Sequence, residues 1–156
     1  MKRIALLTCI LIVAGCGKPS EPTRQEAVAE RGTEVMPFDL DRSTHVFEKR
    51  EDGGLQQVYS DDGDAVEIEQ IRAHLSEIAG KFVAGDFHEP AMIHGHDMPG
   101  LHALAMGHEQ LEITYSEIEN GGQIVYASAE TELVEAIHKW FDAQLADHGD
   151  HAQSHH

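Results

Sequence analysis

Cysteine is almost missing from this sequence: two occur in 156 residues, Cys9 and Cys16, both within the first sixteen positions. From Gly17 onward the chain offers no disulfide, no cysteine nucleophile and no thiolate metal ligand. Fixed positive charge is scarce too, with 11 Lys and Arg against 28 Asp and Glu and a formal net charge of −17. Such a surface repels phosphate backbones and anionic headgroups, which excludes nucleic acid as a partner. Nor is there length for two large domains, although 41% hydrophobic residues can bury one core. Histidine is what the chain has in quantity. Its 12 histidines outnumber all Lys and Arg together, a large capacity for protons and metal ions.

The first residues read as an address. Lys2 and Arg3 precede an apolar run from Ile4 to Ala14, too short for a permanent membrane span but suited to an export signal. Val13-Ala14-Gly15-Cys16 resembles the lipobox of bacterial lipoproteins. That resemblance implies cleavage after residue 15, acylation of Cys16 and attachment to the lipid bilayer through its acyl chains. Gly17 and Lys18 follow, with no Asp after the cysteine, which by the same resemblance favours an outer membrane, facing the periplasm. Residues 16–36, with Pro19 and Pro22 and few large apolar side chains, read as a flexible tether in which a short helix from Arg24 to Arg31 can form. Residues 37–148 form the domain, and residues 149–156 a disordered His-rich tail.

Within the domain one pattern occurs twice. Two alternating segments flank Gly53-Gly54 and two more flank Gly121-Gly122; glycine in each turn supplies the positive φ of a hairpin. A helix follows each hairpin. Ile68, Ile71, Leu75, Ile78 and Phe82 recur at helical spacing behind Asp64 and Glu67, which fit an N-terminal cap. Leu133, Val134, Ile137, Phe141 and Leu145 form the second stripe. These signals predict an α+β fold: duplicated ββα units forming a four-stranded antiparallel sheet, two helices on one face, and a His-rich loop between the repeats.

That loop carries the candidate chemistry. Five histidines and three methionines fall between positions 88 and 108, and imidazole with thioether suits copper first and zinc next. His94 and His96, two apart in an extended segment, would point to the same side, with Asp97 or Met98 as a third donor and His102 nearby. His74 and His138 fall beside the apolar stripes of the two helices, where both can face the loop. The same residues admit a structural account: Asp97 caps the next helix, Pro99 sits in its first turn and His94 bonds the loop backbone. Met92, Met106 and Trp140 read as core. The spacing of the zinc hydrolases is missing, since His108-Glu109 has Glu112 where a second histidine is required.

Three segments stand out beyond these patterns: Met36-Pro37-Phe38-Asp39-Leu40-Asp41 with Thr44-His45; His94-Gly95 with Asp97-Met98-Pro99-Gly100-Leu101; and His138 with Trp140-Phe141-Asp142-Ala143-Gln144 and Asp147-His148-Gly149. Together, over about residues 31 to 149, the chain resembles a poorly characterised bacterial family whose members sometimes carry an aspartate carbamoyltransferase name. The residues do not support that activity here. There is no Ser-Thr-Arg-Thr phosphate loop, and only nine basic side chains remain once Lys2 and Arg3 leave with the leader.

The sequence therefore predicts a lipid-anchored envelope protein that binds copper or zinc through His94 and His96 with Asp97, Met98, His102, His74 and His138. A metal-free module that recognises an envelope protein or small ligand is the alternative. An enzyme with a metal-activated water and Asp97 or Glu109 as base comes third.

Overall fold

The structure is a computed structural model that describes residues 21–154. The leader, Cys16 and the last two histidines lie outside the described residues. Helix α1 (Arg24–Val35) opens on a capping box in which Thr23 and Glu26 exchange hydrogen bonds. Strands β1 (Ser43–Arg50) and β2 (Gly53–Ser60) form a hairpin that feeds the long helix α2 (Ala65–Val83). Two short helices follow, α3 (His88–His94) and α4 (Leu101–Met106). A second hairpin, β3 (Glu112–Ile118) and β4 (Gly121–Ala127), leads into α5 (Thr131–His148), and the two-residue β5 (Ala152–Gln153) closes the described chain.

The fold is α+β, built on a five-stranded mixed sheet in the order β3-β4-β2-β1-β5. The order strand, strand, helix does occur twice. Two ββα units nevertheless leave out α1, α3, α4 and β5, which runs parallel to β1 through His45 and Val46. The helix allowed from Arg24 to Arg31 forms and extends to Val35, with Val28 only 1% exposed. Residues 149–153, expected in a free tail, form a 3₁₀ turn and the edge strand β5. Among the described residues no helix is long and apolar enough to cross a membrane.

Register decides which side chains enter the core. Phe47 pairs with Gln56 and Gln56 with Ile124, while His45 pairs with Val58, so all of these share one sheet face. On that face α2 contributes Ile71, Leu75, Ile78 and Phe82, and α5 contributes Ala136, Ile137, Trp140 and Phe141, to one apolar cluster. Asp64 caps α2 as expected, accepting from the Val66 and Glu67 N–H groups, but Glu67 closes no capping box and instead accepts from the Asp39 N–H. Of the four paired glycines only Gly53, at φ +154° beside the first turn, stands at positive φ; the others serve differently from their sequence reading. The hairpin turns are Glu51 with Asp52 and Glu119 with Asn120, none at positive φ. Gly54 and Gly122 are strand residues whose missing Cβ atoms make room for Phe141 and Leu75, letting the helices press onto the sheet.

One glycine holds the loop segment to α5. Gly100 has φ +81°, and a Cβ there would collide with the Ala136 carbonyl oxygen. Gly63 has φ +72° but faces open space. Gly100→Ala is expected to cost at least about 3 kcal/mol, adding overpacking to backbone strain, whereas Gly63→Ala should cost about 1–2 kcal/mol from strain alone. Urea denaturation of the two variants measures the difference.

Candidate functional site

A half-open cavity of about 40 Å³ lies between the β1–β2 end of the sheet and helices α1, α2, α3 and α5. That volume admits two or three water-sized groups. Most of its wall is apolar, including Phe38, Phe47, Ile78 and Phe82. Polar side chains also reach it: His45 from β1, His74 from α2, Glu89 and His94 from α3, and Trp140, Gln144 and His148 from α5. Four of their buried atoms, His45 Nε2, Glu89 Oε2, Trp140 Nε1 and Gln144 Oε1, have no hydrogen-bond partner among the described residues. Each such atom costs about 1–3 kcal/mol, so the four together cost roughly 4–12, comparable with a domain's entire net stability of roughly 5–15. Ordered water or a bound ligand can satisfy such atoms, and four of them facing one small cavity mark it as the candidate site.

One wall is held by a charge network. Asp147, only 4% exposed on the inner face of α5, receives two hydrogen bonds from Arg24 of α1, Nε at 2.5 Å and Nη2 at 2.8 Å. The same Arg24 Nη2 donates to the His94 carbonyl oxygen at 3.1 Å. His94 Nδ1 lies 2.9 Å from Asp147 Oδ2. A carboxylate only accepts, so His94 Nδ1 carries the proton and Nε2 keeps its lone pair. His148 stands beside both of its neighbours, its ring 4.7 Å from His45 and nearly parallel to it, and 5.2 Å from His94 in an edge-on arrangement.

Burial sets the charge state of these rings. It pushes His45 well below the ordinary imidazole value, with His148 and His74 nearby acting in the same sense. It lowers His94, partly opposed by the hydrogen bond and charge of Asp147. It lowers His74 as well, and it pushes His148 down to about 4. For Asp147, burial raises the pKa, but the bonds from Arg24 and His94 outweigh it and hold the carboxyl below its ordinary value. At neutral pH the cavity therefore meets uncharged imidazoles beside an ionised, paired carboxylate.

Of the residues singled out from sequence, the structure brings His94 and His74 to this cavity and scatters the rest. Helix α3 ends at His94 and Gly95 turns the chain at φ +99°, so His94 is buried while His96 is exposed; the extended i, i+2 pairing does not form. His96 and His102 line a shallow surface depression with His88. Asp97 is exposed and does not cap α4, whose N-cap is Gly100. Met98 is core, 3% exposed. His138 is committed to structure, its Nε2 donating to the Arg50 and Gly53 carbonyl oxygens at 2.9 Å and stapling the first hairpin. Met92 and Met106, expected in the core, are 47% and 74% exposed, whereas Trp140 is core as expected. Among the described residues no group of three His, Cys, Asp or Glu side chains stands in position to coordinate a metal ion.

The sequence reading missed His45, Gln144, Asp147 and His148, and two signals could have found them. Trp140, Gln144, Asp147 and His148 continue the inward stripe of α5 at spacings of three and four, as polar residues on an apolar face. His45 precedes Phe47 on the same face of β1. Met36, Phe38, His45, His94, Trp140, Gln144 and His148 all line the cavity, so the three segments set apart in the sequence meet there. No family model, curated protein or solved structure matches the chain.

The depressed histidines make stability depend on pH. An unfolded His148 binds a proton near its ordinary 6.5, the folded one only near 4, so between those values the unfolded state holds more protons. Stability is complete above about pH 6.5 and falls as the pH drops toward 4, by on the order of 3 kcal/mol from His148 alone. Urea titrations of metal-free protein between pH 7.5 and 4.5 should show this decline, and His148→Phe should flatten it.

Proposed function

We propose that the chain is a bacterial envelope protein, held to the bilayer through acylated Cys16, that binds a divalent transition metal at the buried imidazoles His45, His94 and His148. The reading rests on one observation: three uncharged imidazoles line one cavity, with His148 neighbouring both His45 and His94. The rings as they stand do not form a ligand set, and their nitrogens must turn to converge on one metal at about 2.0–2.1 Å. Neutral rings are also the form that ligates, so binding releases few protons. Asp147 supplies the supporting carboxylate that fixes a ligand ring and raises its basicity. His148, now stacked on His45, must turn about its broad χ2 torsion to present a nitrogen. Imidazole donors suit zinc and copper(II).

A metal-free binding module is the second reading, favoured by the unpartnered atoms of Trp140, Gln144 and Glu89. One donor and two acceptors would hold a small hydroxylic molecule as well as they would a metal-bound water. Among the described residues no Ser, Thr or Cys lines the cavity beside the His94–Asp147 pair, the partner that nucleophilic catalysis requires.

Metal titration of chelator-treated, detergent-solubilised protein separates the readings. Zinc or cobalt(II) should bind at one equivalent, weakened at least about 100-fold in His94→Ala and about 10–100-fold in Asp147→Asn. The double variant His96→Ala/His102→Ala should retain wild-type affinity. Equal affinity across all of these proteins would overturn the buried site.

A further inference from the structure

The sheet ends differently on its two sides. Two residues of β5 cover β1 at one edge. At the other stands β3, seven residues long and paired, among the described residues, with β4 alone. Its sequence, Glu112-Ile113-Thr114-Tyr115-Ser116-Glu117-Ile118, is rich in β-branched and aromatic side chains and has no proline, no lysine and no break in register. One row of its backbone N–H and C=O groups therefore faces outward, with none of the devices that usually blunt an edge except two glutamates. Beside this edge lies an open groove of about 660 Å³ between α2 and β3. Its α2 side is built at helical spacing from Ala65, Ile68, Ala73 and Ser76, and Tyr115 forms the strand side. Arg72 ties the two sides together, donating to the carbonyl oxygens of Ile118 at 2.7 Å, Glu119 at 3.2 Å and Gly121 at 3.0 Å and pairing with Glu117 at 3.2 Å. Three carboxylates, Glu69, Glu117 and Glu119, thus share the groove with one guanidinium already in use, and the groove is left acidic.

We propose that the free edge of β3 and this groove form a docking site for an extended basic segment of another protein, which joins the sheet as a further strand antiparallel to β3. The added strand gains main-chain hydrogen bonds from the edge, and every second side chain turns into the groove. Alanine and serine on α2 leave room there for long side chains. A lysine or arginine lays its methylenes along Ile68 and Tyr115 and carries its charge to Glu69 and Glu117. Charge selects this occupant over a second copy of the chain, which would bring its own Glu112, Glu117 and net charge of −17 to the same edge. Because Arg72 already holds the β3–β4 hairpin against α2, the edge is formed before the partner arrives and little ordering is required on this side. No residue of the groove lines the inner cavity, so the docking site stands independently of the metal-binding reading.

The probe is a fluorescent seven-residue peptide alternating lysine with valine, titrated by anisotropy with the full-length protein in nonionic detergent. A peptide of equal charge with proline in place of valine, which cannot donate to a sheet edge at those positions, should bind at least about 10-fold more weakly. Glu69→Gln/Glu117→Gln should weaken the lysine–valine peptide about 5–10-fold at low ionic strength, with the difference shrinking as salt is added. Glu30→Gln/Glu34→Gln, which removes the same charge from exposed positions on α1, should bind it as the wild type does. Amide hydrogen exchange should slow across residues 112–118 when the peptide binds and stay unchanged at residues 152–153. Equal binding of the two peptides, equal weakening in both variants, or unchanged exchange in β3 would overturn the docking site. So would a mass by sedimentation that rises with protein concentration while β3 amides are already protected without peptide, since the edge would then belong to a second copy.

Discussion

A buried carboxylate has to be paired, and in this chain the pairing of Asp147 organises everything around it. An isolated ionised carboxyl in an apolar interior costs several kcal/mol even after the protein relaxes. Asp147 escapes that cost by taking two hydrogen bonds from Arg24 and one from His94. Arg24 lies on α1, His94 ends α3 and Asp147 is in the last turn of α5. One anion therefore clasps three helices, and all three supply cavity wall. Arg31 reinforces the clasp from the next turns of α1 by donating to the Ile93 carbonyl oxygen at 2.6 Å.

The cavity that results has a mostly apolar wall with several polar side chains set into it. Trp140 packs edge-on against Phe82 and Tyr126, yet its Nε1 finds no partner among the described residues. Filling the same space with Leu or Phe would recover apolar burial worth about 1.5–3 kcal/mol per side chain. Retaining His, Gln, Glu and Trp there instead sacrifices stability, a pattern expected of sites that bind rather than sites that only pack. The strongly acidic composition fits the same picture from outside, since a net charge of −17 concentrates cations at the surface.

Much of the scaffold was legible in the sequence, and the exceptions have physical causes. Helical spacing in α2 and α5 located Ile71, Leu75, Ile78, Ile137 and Phe141 correctly, because apolar periodicity reports burial directly. It misplaced the polar continuation of α5, since Gln144 and Asp147 look like solvent-facing residues until a partner such as Arg24 arrives from more than a hundred positions away. The fifth strand was invisible for a related reason: Ala152 and Gln153 carry no strand propensity and are recruited by β1. Loop chemistry misled most. His94 and His96 share a short motif, but Gly95 at positive φ sends one inward and the other to solvent. Sequence proximity proved a poor guide to which imidazoles meet. His94 finds its neighbours in His148 and, next to that ring, His45.

The most direct measurement is the protonation state of His94, read from long-range ¹H–¹⁵N correlation spectra of the metal-free protein at pH 7. If Asp147 holds the ring as the structure shows, His94 is a neutral imidazole with its proton on Nδ1 and a bare Nε2. A spectrum in which His94 is an imidazolium, or carries its proton on Nε2, would contradict that arrangement and leave the buried cluster without its central ligand.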